Sequence, residues 1–327
     1  MNVGIIKIGQ KIIFNRGSLE CNRSNTNGNV GTYLLCKALI ESNPNDNFVF
    51  LSPNDLGKDV YDNVYENLDY IDIVVVFAGI KESEKDYNVY NFINKNKYIL
   101  LADDPRCLMN TLANENIINK PNCILSQFNG NMLVNDRLYD IEYFPLEKVY
   151  CNLCNFDFNK KKSNNLIIIS NTSSDDYRIN VVSKLIEFVN TKVYGRLNEQ
   201  EINKIGKDKY AGEINFYEMQ NKIKNSKCSL LVPIKNNVVT SKYIELLNNN
   251  CVPIFYKDYN TESIKFKPII KVKNSLELFI VCFIIKILPQ NIIDIYLENF
   301  RRAEVYPYVN LLHIGWEMKF YLMRYMQ

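Results

Sequence analysis

Histidine is almost missing from this 327-residue chain: His313 is the only one. One imidazole cannot build a multi-histidine zinc or iron centre, so any such site would have to come from thiolates or carboxylates. The nine cysteines do not supply it. They are odd in number and scattered through apolar and helical stretches, the pattern of reduced thiols in a cytoplasm. Cys151 and Cys154 form the single CxxC, without the second pair a zinc site wants or the βαβ setting of a redox pair. There is no G-x-G-x-x-G fingerprint, which argues against a dinucleotide cofactor. No Asp-x-Asp stands on a loop, as a metal-dependent transferase would want. The longest apolar run, Leu278 to Ile285, stops far short of the roughly 18 residues that cross a bilayer. The chain starts directly in VGIIKI with no basic, cleavable leader, so the expectation is a cytoplasmic protein without a membrane partner.

What is present is a globular composition, 47% hydrophobic and 23% charged, at a length that suits two domains of about 150 residues each. The net charge of +3 hides an asymmetry. Residues 1–150 carry 14 Lys/Arg against 19 Asp/Glu, and the rest 25 against 17. A basic second half suits a nucleoside-diphosphate ligand, while an acidic first half is a poor start for neutralising DNA phosphates. Lys160 to Lys162, Arg301 and Arg302 are the local basic clusters that would compensate.

Apolar runs at Val3–Ile8, Phe48–Leu51, Ile71–Phe77, Tyr98–Ala102, Cys123–Gln127 and Ile141–Phe144 read as strands, most apolar enough for burial on both faces. Helical stretches are expected at Thr32–Ser42, Val60–Asn67 and Glu84–Asn94. The segment Pro145 to Asn165 loses periodicity and gains Asn and Lys, as a connection does. Beyond it come strands at Leu166–Ser170, Val193–Arg196, Cys228–Pro233 and Val252–Tyr256, and helices at Phe216–Ser226, Thr240–Asn248 and Ser275–Ile287. Alternating strands and helices give parallel sheets covered on both faces, with ligands at the carboxyl ends of the strands.

The most informative stretch is Lys192 to Tyr259. Gly195 ends one strand, Gly212 to Ile214 make a turn, and the helix at Thr240 bears Lys242 and Glu245 three residues apart, hence on one face. A cation there can meet a diphosphate while the carboxylate takes ribose hydroxyls; the plain alternative is a solvated ion pair. Asp103 and Asp104 follow the strand Tyr98–Ala102, where a base for an acceptor hydroxyl would stand, or where an Asp would cap the next helix.

Four segments carry a more specific signal: MNVGIIKIG (Met1–Gly9), LLADDPR (Leu100–Arg106), IEYFPLEKVY (Ile141–Tyr150) and the run Tyr210–Asp258. Together they resemble the bacteriophage DNA β-glucosyltransferases of the GT-B class. The resemblance implies two Rossmann-like domains facing each other across a cleft, with the last helix crossing back to the first domain. The expected divisions are 1–150 for the acceptor side, 151–165 for the linker, 166–305 for the nucleotide-sugar domain and 306–327 for the crossing helix. It also implies an inverting transfer of glucose from UDP-glucose to a hydroxymethylated base in double-stranded DNA, by a monomer, with a divalent cation compatible but not required. Asp104, with Asp103 beside it, then matches the general base, and Arg106 and Gly31 fall on the acceptor side. Arg178 falls within one position of an arginine in the family's phosphate loop, Lys242 stands at a phosphate-binding position, Glu245 matches the ribose contact and Ile214 the residue whose backbone meets uracil; Thr240 and Ser241 offer hydroxyls and backbone donors at the same helix start, and Arg196 is a further phosphate or sugar candidate. Lys242 replaces an arginine, a point charge in place of a planar fork. A polysaccharide or protein acceptor, and a nucleotide-binding protein without turnover, are the competing readings.

Overall fold

The computed structural model describes residues 1–8, 27–52, 55–59, 63–79, 87–102, 104–153, 162–169, 176–233 and 240–326. The chain divides into two compact units, Met1–Val149 with Asn310–Gln327, and Tyr150–Val309.

The first unit is built on an eight-stranded sheet of order β3-β2-β1-β4-β5-β6-β8-β7. In chain order its strands are β1 (Asn2–Lys7), β2 (Asn47–Ser52), β3 (Asp55–Asp59), β4 (Ile73–Phe77), β5 (Tyr98–Ala102), β6 (Cys123–Ser126), β7 (Gly130–Val134) and β8 (Arg137–Tyr143). The strands from β2 to β8 pair in parallel, and β3 and β7 close the two edges antiparallel. Every residue of β4 and β5 is buried, as strands covered on both faces must be. Helices α1 (Asn27–Ser42), α2 (Tyr87–Lys95) and α3 (Pro105–Leu112) fall between strands, and α10 (Leu312–Met326) returns from the far end of the chain to lie along α1. Gly315 makes that approach possible, because a Cβ there would overlap the Ala38 carbonyl and the Ser42 hydroxyl. The Trp316 indole donates to the Ser42 carbonyl at 3.2 Å, and Lys319 pairs with Asp46 at 3.1 Å.

The second unit holds five parallel strands in the order β10-β9-β11-β12-β13. They are β9 (Ser163–Ile169), β10 (Thr191–Tyr194), β11 (Ser226–Leu231), β12 (Val252–Tyr256) and β13 (Lys271–Val272). Its helices are α4 (Asp176–Leu185), α5 (Glu199–Ile205), α6 (Phe216–Lys224), α7 (Lys242–Asn248), α8 (Ser275–Ile287) and α9 (Gln290–Glu304). Because β10 lies on one side of β9 and β11 on the other, the strand order reverses at β9, and such a switch point opens a crevice at the carboxyl ends.

Several sequence expectations shift. The helix expected over Val60–Asn67 is absent among the described residues of that segment; residues 63–65 instead lie back against β3, with Lys58 and Val64 bridged antiparallel. Buried Asp59 drives this by accepting the Asn63 amide at 2.9 Å, the Asn63 side chain at 2.7 Å and the Tyr65 hydroxyl at 3.1 Å. The β7–β8 hairpin was not anticipated, although Asn135 and Asp136, at φ 48° and 60°, make a two-residue turn of the kind Asn and Asp favour. The connection is more ordered than its composition suggested, with a 3₁₀ helix over Leu146–Leu153 and β9 opening at Ser163. Cys151 is buried against the Glu304 carbonyl, and Cys154 lies outside the described residues. Among the described residues, no single helix is long and apolar enough to cross a membrane.

Candidate functional site

The second unit gathers most of the expected donor-side residues at the carboxyl edge of its sheet. Arg178 stands in the first turn of α4, after β9; Thr240 and Ser241 lead into α7, after β11. Gly195 follows β10 and Gly212 sits in the next turn, with φ of 144° and 96°, values a side chain would resist. The Gly195 amide donates to the Gly212 carbonyl at 3.1 Å and so lays residues 211–214 beside the end of β10. Ile214 is half-buried there, and no hydrogen bond among the described residues engages its backbone. Arg196 is exposed at the same edge.

Lys242 and Glu245 form the centre. Their ion pair spans 3.0 Å, and the Glu245 side chain is 1% exposed against 13% for Lys242. A buried carboxylate must have its oxygens filled, and this one does: Lys242 Nζ and Gln220 Nε2 donate to Oε2 at 3.0 and 2.7 Å, and the Ser241 hydroxyl donates to Oε1 at 3.2 Å. The Lys242 ammonium also reaches Met219 Sδ at 3.1 Å. Burial pushes the Lys242 pKa below its ordinary value of 10.5; Glu245 opposes that fall and the Arg178 charge adds to it. Tyr259 fixes the start of α7 by accepting the Thr240 amide at 2.9 Å and donating to its carbonyl at 3.2 Å. Tyr177, next to Arg178, ties α4 to Asp258 at 2.8 Å.

Sequence reasoning named both partners of the ion pair but missed Gln220, Tyr259 and Asn249. Asn249 Nδ2 donates to Gln220 Oε1 at 2.6 Å and to the Glu245 carbonyl at 2.8 Å. These residues reach the site from a neighbouring helix, a loop and the helix end, so no spacing rule along the chain announces them.

In the first unit, Asp104 caps α3. Its Oδ1 accepts the Arg106 amide at 2.8 Å, and its Oδ2 pairs with Arg106 Nη2 at 2.6 Å. The carboxylate is 21% exposed and the guanidinium 27%. Asp103 lies outside the described residues. Gly31 is half-buried within α1, and Lys7, at the end of β1, donates to the Thr32 hydroxyl at 3.3 Å in that helix. Two of the proposed DNA-facing cations are taken inward instead. Arg301 is 3% exposed and donates to Asn250 Oδ1 at 2.9 Å, and Lys162 donates to the Asn249 carbonyl at 2.6 Å. No group of carboxylates, thiols and histidine among the described residues could hold a metal ion.

No protein-family profile and no curated protein sequence matches the chain. Solved structures do, and they define a class first: the fold is GT-B. A glycosyltransferase of avilamycin A biosynthesis aligns over 99% of this chain and 96% of its own, at 8% identity and a TM-score of 0.55. Within that class, a DNA-modifying β-glucosyltransferase solved with and without uridine diphosphoglucose aligns over 100% of this chain and 97% of its own, at 17% identity and a TM-score of 0.66. The T4 phage β-glucosyltransferase in complex with UDP and Mn2+ aligns over the same shares at 17% identity, with a TM-score of 0.64.

Proposed function

We propose that this protein is an inverting glycosyltransferase that moves glucose from UDP-glucose to the hydroxymethyl group of a modified base in double-stranded DNA. The observation that carries the reading is that Lys242, largely buried, and Arg178 both stand at the starts of helices that follow strands at the carboxyl edge beside the β9 switch point. Diphosphate charge grows as the anomeric carbon leaves, and cations already fixed there stabilise it without reorganising. Glu245 holds Lys242 in place; contact with a ribose requires the carboxylate to exchange one of its three donors. The open Ile214 backbone suits a uracil edge. On the acceptor side Asp104 takes the hydroxyl proton, with Arg106 as its fixed counter-charge. A hydroxymethyl stacked in a duplex cannot reach a sugar donor, so the base must be swung out. The solved relatives that act on DNA with uridine diphosphoglucose support this choice of donor and acceptor.

One observation favours a second reading. The first unit, with 16 Lys/Arg against 20 Asp/Glu, is acidic, which suits a polysaccharide or protein acceptor better than DNA. Mass spectrometry of hydroxymethylated DNA after incubation with a panel of UDP-sugars separates the two. A mass gain of one hexose from UDP-glucose is expected. UDP-sugar hydrolysis without DNA modification would move the acceptor elsewhere, and UDP binding without any turnover would leave a binding protein.

A further inference from the structure

Helix α8 reads SLELFIVCFIIKI, and only Leu278 and Ile285 in it are buried. Leu276, Phe279, Ile280, Phe283, Ile284 and Ile287 are each 43–62% exposed. Steps of three and four residues put all six on one face. Glu277 and Lys286, the charged residues of the helix, flank that face on opposite sides. A monomer rarely shows water an apolar stripe of this extent, which usually marks a surface that something covers.

We propose that α8 is the two-fold interface of a homodimer, packed antiparallel against α8 of a second copy. Two observations select this occupant. The first is area: six half-exposed side chains offer about 100 Å² apiece, so roughly 600 Å² per copy and about 1,200 Å² per pair, which reaches the lower bound of specific interfaces. The second is the order of side chains along the stripe. With the axis between Val281 and Cys282, Phe279 shares a layer with the partner's Ile284, Ile280 with the partner's Phe283, and Leu276 with the partner's Ile287. No layer stacks two phenylalanines, so large and medium side chains alternate as knobs-into-holes packing requires. An isologous contact needs a patch complementary to itself, and this sequence is so in the antiparallel register. A lipid surface also takes apolar stripes, but the margins here hold one cation and one anion rather than the row of Lys and Arg that an anionic leaflet selects. This proposal departs from the monomer that the resemblance implies and is independent of the reading of the donor site.

The test is analytical ultracentrifugation of the full chain. The wild type is expected at twice the monomer mass of 38.2 kDa, and Phe283→Glu and Ile280→Glu, beside the axis, at the monomer mass with unchanged circular dichroism. A wild type that is monomeric at every concentration overturns the proposal. So does a dimer that survives both substitutions, or a monomer that floats with phosphatidylserine-containing vesicles. Should the glutamate variants fail to fold, a mixture of Ile280→Cys and Phe283→Cys chains is oxidised against a wild-type control for the native thiols. A cross-linked dimer of the two variants is expected, and its absence overturns the antiparallel register.

Discussion

A lysine and a glutamate three residues apart are ordinary on a helix surface; burial makes this pair different. Removing Glu245 leaves the Lys242 ammonium without its carboxylate in a site that is nearly closed, so Glu245→Ala is expected to lower folding stability by about 3–5 kcal/mol as well as UDP affinity. Urea melts beside calorimetric UDP titrations measure both. Lys242→Ala leaves the carboxylate with Gln220 and Ser241 as donors, so its main cost should be about 100-fold in kcat with a smaller loss of donor affinity. Alkaline pH gives two opposite slopes. The folded Lys242 loses its proton below the 10.5 of the free side chain, so between those pKa values the unfolded chain binds more protons and this residue's contribution to stability rises with pH. Turnover, for which the proposed role of Lys242 requires the ammonium, is expected to fall across the same window. At Asp104 the expectation is a loss of about 100-fold or more in transfer for Asp104→Asn with UDP binding intact. A variant that also loses helix α3 by circular dichroism would assign the carboxylate to capping alone. Of these residues the sequence named Lys242, Glu245 and Asp104 because each carries charge at a strand or helix boundary. It could not name Gln220 or Tyr259, whose roles depend on which elements become neighbours.

Elements were legible where one local rule governs them. Tyr98–Ala102, Val252–Tyr256 and Ser275–Ile287 fall where the apolar runs put them, since an uninterrupted apolar run has few other places to go. The errors arose where a side chain outvoted periodicity. Asp59 ties Asn63 and Tyr65 back to the end of β3 where a helix was expected, and Asn135–Asp136 fold a strand back where the reading had seen only its second half. The α1–α10 contact offers a test at this scale. Gly315→Ala places a methyl group into the Ala38 backbone, which cannot rotate away, and is expected to cost about 3 kcal/mol and to expose Trp316 further. Tryptophan fluorescence reports it cleanly, because Trp316 is the only tryptophan in the chain.

At the scale of the molecule, one fully parallel sheet and one with a parallel centre follow from alternating strand and helix patterns, but the partition of residues between them does not follow from chain order. The first unit consists of Met1–Val149 and Asn310–Gln327, so its final helix is encoded after the whole of the second. During synthesis the first unit therefore lacks α10, and the Ala38–Ser42 face of α1 lacks its cover, while the 160 residues Tyr150–Val309 are made, ~10–30 s at about 5–20 residues per second. The unit that starts the chain is thus the one that only the last residues can complete. A released chain ending at Val309 is expected to show a protease-resistant second unit and a first unit that is cut readily, and adding a peptide of residues 310–327 should close it.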